Sequence, residues 1–174
     1  MQNKHSNIVL IGMPGSGKST VGVILAKKTA RAFVDTDVLI QTAEKRSLED
    51  IVDAEGYEAL RAIEAELLAN LSVANHVIAT GGSAVYSDRA MSRLKTEGII
   101  VFLDADLATL KARVGDFSTR GLARRPEQSF GDLFEERLAL YQKHADMTVN
   151  CAQKSQEAVC DEIIAAIAEK FSSI

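Results

Sequence analysis

The segment Gly12–Ser19 constrains the fold of this chain more than any other feature of its sequence. It reads Gly-Met-Pro-Gly-Ser-Gly-Lys-Ser and matches the pattern G-x-x-x-x-G-K-[ST] in full. The apolar run Ile8–Ile11 precedes it, and a stretch of helical periodicity begins at Lys18. A strand, a glycine-rich turn and a helix in this order form a phosphate-binding loop, because backbone N–H groups and the helix N-terminus attract phosphate. The pattern therefore predicts that the chain binds a nucleoside triphosphate.

The loop also predicts which residues contact the nucleotide. Lys18 can reach the β- and γ-phosphates, and the hydroxyl of Ser19 can coordinate Mg²⁺. The nucleotide-binding residues predicted within the loop are Gly15, Ser16, Gly17, Lys18, Ser19 and Thr20.

Further apolar runs of strand length alternate with helical stretches along the chain. Strands are predicted over residues 8–11, 32–34, 77–79, 99–103 and 147–149. Helices are predicted over 18–29, 57–71, 88–96, 107–114, 131–144 and 156–171, with another helix beginning near Ser47. Continuous apolar strands separated by helices predict an α/β fold, in which helices cover both faces of a parallel sheet. Ligands of such sheets bind beyond the carboxyl ends of the strands.

The composition fits a single globular domain of 174 residues, with 47% hydrophobic and 25% charged residues. The net charge of −4 argues against a nucleic-acid partner. No run approaches the roughly 18 apolar residues of a transmembrane helix, and the apolar start of the chain is too short for a signal peptide. The two cysteines form neither a disulfide framework nor a zinc pattern. We therefore expect a cytoplasmic protein without a membrane partner.

Proteins with this loop include small-molecule and nucleotide kinases, GTPase switches and mechanical ATPases. A GTPase needs an N-K-x-D segment after a later strand, which is absent, and Asp53-Ala-Glu-Gly56 matches a switch motif only inside helical sequence. A mechanical ATPase usually has a catalytic glutamate after a hydrophobic strand and a larger body. The strand over 99–103 ends at Asp104, which we expect to cap the next helix rather than to serve a metal.

Asp35 and Asp37 form a second candidate site. On an extended backbone, side chains at positions i and i+2 point the same way, so both carboxylates are predicted to face the transfer site from the end of a strand. One carboxylate can hold the water shell of a metal, and the other can accept the proton of an attacking hydroxyl. We expect nearby cations to keep Asp37 ionised.

The loop over residues 116–128 forms a third candidate site. It has no clean periodicity, and it contains Arg120, Arg124 and Arg125 in an otherwise acidic protein. A basic loop of this length predicts a lid, over about residues 114–128, that closes on the triphosphate.

Two further arginines are ambiguous: Arg61 is either a surface residue or an anion clamp, and Arg137 has an ordinary alternative as a helical ion pair.

Together these motifs resemble the shikimate kinase family, within the P-loop kinases that are similar to nucleoside monophosphate kinases. The resemblance extends from about residue 8 to residue 150. It rests on Gly12–Thr20, Asp35-Thr-Asp37, Leu60-Arg-Ala-Ile-Glu64, Ala79-Thr-Gly-Gly82, Arg120, and Arg137–Tyr141 with Ala145-Asp146.

The resemblance implies a three-layer fold with five parallel strands, an acceptor-binding helical region over about 37–71, and a lid. It implies a monomer that moves the γ-phosphate of ATP to a hydroxyl of a small hydroxy-carboxylate, with shikimate as the expected acceptor. By this resemblance, Asp37 is the base and binds the acceptor hydroxyls, and Arg61 and Arg137 bracket the carboxylate. The further roles implied are backbone contact with the acceptor for Gly81 and Gly82, phosphate stabilisation for Lys18 and Arg120, Mg²⁺ binding for Ser19 and Asp35, and adenine contact for Arg113.

Two departures from the family pattern leave other functions open. Ser83 replaces a third glycine, and its hydroxyl is expected to change the hydrogen bonding near the acceptor. Gly121 replaces a proline in the lid and is expected to make it more flexible. The alternatives are a kinase for another hydroxy acid or for a nucleotide, and a regulatory module that binds nucleotide without transferring phosphate.

Overall fold

The apolar run before the phosphate-binding loop forms the middle strand of a five-stranded parallel sheet. The computed structural model describes residues 6–115 and 121–172, except for the side chains of the last two. The strands are β1 (Asn7–Ile11), β2 (Ala32–Asp35), β3 (His76–Ala79), β4 (Gly98–Asp104) and β5 (Met147–Asn150). Their order across the sheet is β2-β3-β1-β4-β5, and every neighbouring pair is parallel. The predicted fold class is confirmed.

Eight α-helices lie between and after these strands in the described part of the chain. They are α1 (Lys18–Thr29), α2 (Thr36–Glu44), α3 (Leu48–Glu55), α4 (Tyr57–Asn70), α5 (Asp88–Glu97), α6 (Leu107–Val114), α7 (Phe130–His144) and α8 (Gln156–Ser172). A short 3₁₀ turn, Ala84–Tyr86, follows β3.

The main hydrophobic core lies around the two central strands. Every residue of β1 is buried, and β4 is buried from Gly98 to Leu103. Because β1 pairs with β3 on one side and β4 on the other, its carboxyl end opens between the loops of both neighbours. The phosphate-binding loop therefore lies at the middle of the edge where parallel sheets bind ligands.

Helix α2 is the element that the sequence patterns miss. The backbone is extended only as far as Asp35, and the chain turns into a helix at Thr36. The Asp35 carboxylate caps this helix by accepting hydrogen bonds from the backbone N–H groups of Asp37 and Val38. The expectation that Asp35 and Asp37 share an extended backbone is wrong, because aspartate competes well for the N-cap position.

The caps of other helices agree only in part with expectation. The predicted helix start near Ser47 is confirmed, because the Ser47 hydroxyl and the Asp50 carboxylate form a reciprocal capping box. The predicted cap at Asp104 is wrong, because α6 begins three residues later and Asp106 caps it by accepting from the Thr109 N–H.

A second, smaller apolar cluster lies beside the main core. It contains Ile40 of α2, Ile51 of α3 and Leu60 of α4, together with Ala123 from the segment that follows α6. This cluster joins the three helices between β2 and β3 into one packed unit. It also places residues 121–128, called the 121–128 segment below, against that unit.

No helix in the described ranges is long and apolar enough to cross a bilayer. The thiols of Cys151 and Cys160 are buried and free.

Candidate active site

A cavity of about 600 Å³ opens at the carboxyl edge of the sheet. The phosphate-binding loop and the 121–128 segment both contribute residues to its wall. Its lining includes Pro14, Gly15, Gly17–Thr20, Asp37, Ile40, Gln41, Ser47–Glu49, Leu60, Glu64, Thr80, Gly81, Ser83, Arg113, Gly121–Ala123, Arg137 and Gln156.

Lys18 lies at the base of the phosphate-binding loop. Its ammonium donates hydrogen bonds to the carbonyl oxygens of Gly12 at 2.6 Å and Met13 at 2.9 Å. Burial lowers the pKa of Lys18 to about 8, although the nearby carboxylate of Asp37 opposes this shift. A buried ammonium next to a phosphate-binding loop gains strongly from an anionic ligand, because little water competes for it.

The loop geometry explains two of its glycines. Gly15 and Gly17 have φ values of 85° and 97°, in the region that favours glycine. A Cβ at Gly15 would lie 2.4 Å from a methyl group of Val114, so α6 packs directly against the loop. The exposed Arg113 side chain lies at the same junction and donates from Nη1 to the Gly15 carbonyl at 3.4 Å.

The hydroxyl of Ser19 donates a hydrogen bond of 2.6 Å to Oδ2 of Asp35. The other oxygen of this carboxylate caps α2, so its orientation is held from both sides. A hydroxyl and a carboxylate oxygen thus stand together at the mouth of the phosphate-binding loop. Such hard oxygen donors suit Mg²⁺, which keeps several waters and takes further ligands from phosphates.

Asp37 lies in the first turn of α2, and its half-buried carboxylate lines the cavity. Burial raises the pKa of this carboxyl, Lys18 opposes the shift, and Asp35 reinforces it. Loss of hydration is the largest influence on the pKa of this carboxyl, and the expectation that nearby cations keep Asp37 ionised stays a prediction.

Glu64 is a site residue whose burial the sequence patterns did not predict. It lies on α4 with 2% of its surface exposed, and its Oε1 has no hydrogen-bond partner. Burial and the nearby Asp37 raise its pKa to about 7, while a hydrogen bond from Ser83 opposes the shift. The hydroxyl of Ser83 donates to Oε2 of Glu64, so the departure from glycine does change the hydrogen bonding here.

Gly81 and Gly82 allow close approach around these charged groups. A Cβ at Gly81 would lie 2.3 Å from Oε1 of Glu64 and 2.7 Å from Oδ1 of Asp37. A Cβ at Gly82 would lie 2.5 Å from Nη1 of Arg137. Any side chain at these positions would displace a charged group of the site.

Arg61 and Arg137 converge on a single oxygen atom, the backbone carbonyl of Ala123. Arg61 donates to it from Nε at 3.2 Å and from Nη2 at 3.0 Å, and Arg137 donates from Nη2 at 3.0 Å. Arg137 is only 1% exposed, and its Nε is without a partner. Two guanidinium groups from α4 and α7 can therefore bind one oxygen-bearing group together.

The structure brings together most of the predicted site residues. Lys18, Asp37, Gly81 and Arg137 line one cavity, whereas Arg61 is not part of the described cavity wall and reaches it through Ala123. Arg120 lies outside the described residues, as does the rest of 116–120.

The 121–128 segment is part of the predicted lid, and its two arginines bond to other groups of the protein. Arg124 donates to the carbonyl groups of Arg125, Pro126 and Gln128, and Arg125 pairs with Glu136. Neither side chain is part of the described cavity wall. Gly121 packs closely against α3, because a Cβ there would lie 2.3 Å from the backbone nitrogen of Glu49.

The sheet, the phosphate-binding loop and the cavity beyond it place the chain among the P-loop kinases of small molecules. The family model for shikimate kinase matches residues 14–168. The chain therefore belongs to the shikimate kinase family.

Individual relatives agree with this assignment. A shikimate kinase of Rippkaea orientalis (strain PCC 8801 / RF-1) is 39% identical over 165 residues, which cover 92% of this chain and 87% of that protein. Shikimate kinase 2 of Enterobacter sp. (strain 638) is 36% identical over 165 residues, covering 92% and 94%. A solved structure of shikimate kinase from Acinetobacter baumannii in complex with shikimate has a TM-score of 0.83 at 30% identity and covers 94% of this chain and 93% of that chain.

Proposed function

We propose that this enzyme transfers the γ-phosphate of ATP to a hydroxyl group of shikimate. The observation that carries the proposal is the convergence of Arg61 and Arg137 on one oxygen, the carbonyl of Ala123, a residue that lines the same cavity as the phosphate-binding loop. A nucleotide at the loop and a carboxylate at the arginines would place the body of a small acceptor between them. The names of the relatives point to shikimate as that acceptor.

The unpartnered polar atoms of the cavity support a hydroxylated acid as the ligand. Arg137 Nε and Glu64 Oε1 are buried without hydrogen-bond partners. Buried polar atoms normally have partners, so a ligand that supplies both an acceptor and a donor fits this pair. A carboxylate would satisfy the arginine, and a hydroxyl would satisfy the glutamate.

Asp37 is proposed as the general base. Its carboxylate would accept the proton of the attacking hydroxyl while the hydroxyl oxygen bonds to the γ-phosphorus and the bond to the leaving ADP oxygen breaks. The raised pKa of Asp37 increases its affinity for that proton. Lys18 would stabilise charge on the transferring phosphoryl group.

The proposed Mg²⁺ site consists of the Ser19 hydroxyl and, through water, Asp35. Their hydrogen bond of 2.6 Å puts both oxygen donors at the phosphate-binding loop. Bound there, Mg²⁺ would neutralise charge on the phosphates of ATP. Among the described residues, no group of three or more histidine, cysteine or acidic side chains could hold a metal ion.

Several other predictions remain proposals. We propose one kinase domain with an acceptor-binding region over about 37–71 and a lid over about 114–128. Nucleotide contact by Ser16, Thr20 and Arg113, phosphate stabilisation by Arg120, a monomeric state and a cytoplasmic location also stay predictions.

The test is a coupled assay of ADP formation with shikimate, related hydroxy acids and nucleoside monophosphates as acceptors. Shikimate should stimulate ADP release strongly, and phosphorus NMR should show a new phosphate monoester in equal amount. The Lys18→Met variant is the control for contaminating kinases and should lose the stimulation. If only another hydroxy acid or a nucleotide stimulates ADP release, that compound is the acceptor instead of shikimate. ATP binding without stimulation by any acceptor would identify a regulatory module.

A further inference from the structure

The guanidinium group of Arg61 lies over two aromatic rings. Its Cζ atom is 3.7 Å from the centroid of the Tyr86 ring and 5.0 Å from that of Tyr57. A guanidinium over a ring face is attracted by the ring's negative π-cloud, and its flat shape allows it to stack. The shorter distance makes Tyr86 the closer of the two contacts.

Tyr86 is itself held by a hydrogen bond. Its hydroxyl donates to Oε1 of Glu136, a residue of α7. Nη2 of Arg61 lies 3.9 Å from this same oxygen. The ring and the carboxylate that holds it therefore both lie next to the guanidinium.

The second oxygen of Glu136 anchors the 121–128 segment. It accepts from Nη2 of Arg125 at 2.9 Å and from Nε2 of Gln128 at 2.9 Å. The segment thus contacts both arginines through the carbonyl of Ala123. It contacts Glu136 through the side chains of Arg125 and Gln128. The Tyr86 ring also faces Arg137, whose Cζ lies 5.5 Å from its centroid.

We propose that Tyr86, oriented by Glu136, is a positioning residue that holds Arg61 where the acceptor carboxylate binds. An arginine side chain has several rotatable bonds, and fixing them costs conformational entropy. A ring at 3.7 Å removes much of that freedom before the ligand arrives. Tyr86 acts on the ligand only through Arg61, and the inference rests on the proposed function of the arginine pair.

The test compares shikimate with its carboxamide, which has the same ring and hydroxyl groups but no anionic carboxylate. Calorimetry gives the affinity of each compound for the wild-type enzyme and for Tyr86→Leu, with ATP replaced by ADP. We expect the variant to lose about 10-fold in affinity for the acid and less than about 2-fold for the amide. A residue with a merely structural role would change both affinities by the same factor.

Tyr86→Phe separates the ring from the hydroxyl. It keeps the face under Arg61 and removes the hydrogen bond to Glu136, so its loss for the acid should be intermediate. Tyr57→Phe is the matched control, because its hydroxyl bonds the exposed Glu58 instead. If Tyr86→Leu does not fold, Tyr86→Phe and Glu136→Gln should each show the selective loss, and the double variant should lose no more than the larger single one.

Two results would overturn the inference, and they are distinguishable. If the wild-type enzyme binds acid and amide equally, the arginine pair does not hold the carboxylate, and the proposed function of that pair fails with the inference. The wild-type enzyme could instead prefer the acid while the Tyr86 variants lose affinity for both ligands by the same factor. The arginine pair would then still bind the carboxylate, and the positioning role of Tyr86 would be excluded.

Discussion

At the level of single residues, the proposed phosphate transfer depends on Asp37. Replacing it with asparagine keeps the shape but removes both the charge and the proton acceptor. We expect Asp37→Asn to lower kcat by about 10²–10⁴-fold, the usual contribution of a general base. The affinity for ATP, measured by equilibrium dialysis, should change little because Asp37 is proposed to contact the acceptor rather than the nucleotide. Asp53→Asn, an exposed change on α3, is the control. Normal kcat and KM in Asp37→Asn would exclude both the base and the positioning role.

The raised pKa of the buried Glu64 carboxyl predicts an unusual dependence of stability on pH. Its pKa is 4.5 in an unfolded chain and about 7 in the fold. Between these values the folded state binds the proton more tightly, so Glu64 stabilises the fold at low pH and loses this contribution as the pH rises towards 7. Between about pH 5 and pH 7, the contribution of Glu64 to the free energy of unfolding should fall by about 2 kcal/mol.

The measurement is urea denaturation of the wild type and Glu64→Gln at both pH values. Glutamine does not titrate, so the variant should gain about 2 kcal/mol relative to the wild type as the pH rises. Glu66→Gln, an exposed change on the same helix, is the control. A pH-independent difference for Glu64→Gln would mean that the carboxyl titrates as an exposed group does.

Residues within local motifs were predictable, and residues placed by distant parts of the chain were not. The motif G-x-x-x-x-G-K-[ST] identified Lys18 because one strand, one turn and one helix build the whole loop. The setting of Arg61 depends on Tyr86 and on the Ala123 carbonyl, which is 62 residues away. Spacing along the chain carries no information about such contacts.

Among the elements, the 121–128 segment depends on one close approach. Gly121 has no room for a Cβ, because the atoms in its way belong to the backbone of Leu48 and Glu49. Gly121→Ala should therefore push the segment away from α3. Amide hydrogen exchange over residues 121–128 should become about 10-fold faster, since the segment loses packing and its contact with the arginines.

Gly131→Ala is the control for this change. Gly131 lies in α7, where a Cβ would meet only ordinary contacts at 3.7 and 3.8 Å. Alanine favours a helix over glycine, so this variant should be as stable as the wild type or more so. Unchanged exchange in Gly121→Ala would show that α3 can shift to accept the methyl group.

Most element boundaries followed from periodicity and caps, and the exception has a physical cause. The predicted bounds of α1 and α6 agree with the structure to the residue. Helix α2 was missed because Asp35 ends a strand and caps a helix at once. An aspartate pair after a strand fits an extended end as well as a helix start, and only the packing of Ile40 against α3 and α4 decides between them.

On the scale of the whole molecule, two separate apolar clusters stabilise different parts of the fold. The large cluster around β1 and β4 holds the sheet and the phosphate-binding loop. The small cluster joins α2, α3, α4 and Ala123 and carries Asp37, Glu64 and Arg61. Because Asp37 and Arg61, which are proposed to bind the acceptor, lie on helices of the smaller cluster, we expect that unit to open at a lower free energy than the sheet does.

This division predicts different effects for two buried isoleucines of equal exposure. Ile51 of the small cluster and Ile100 of the large one are both fully buried, and Ile→Val at either position should cost about 1 kcal/mol. Ile51→Val should speed amide exchange about 5-fold in α2–α4 and raise the KM for the acceptor, with little change in the sheet. Ile100→Val should lower Tm and speed the slowest amides of β1 and β4, with a normal KM. Equal changes in every element for both variants would mean that the chain opens as one cooperative unit and that the acceptor region has no separate stability.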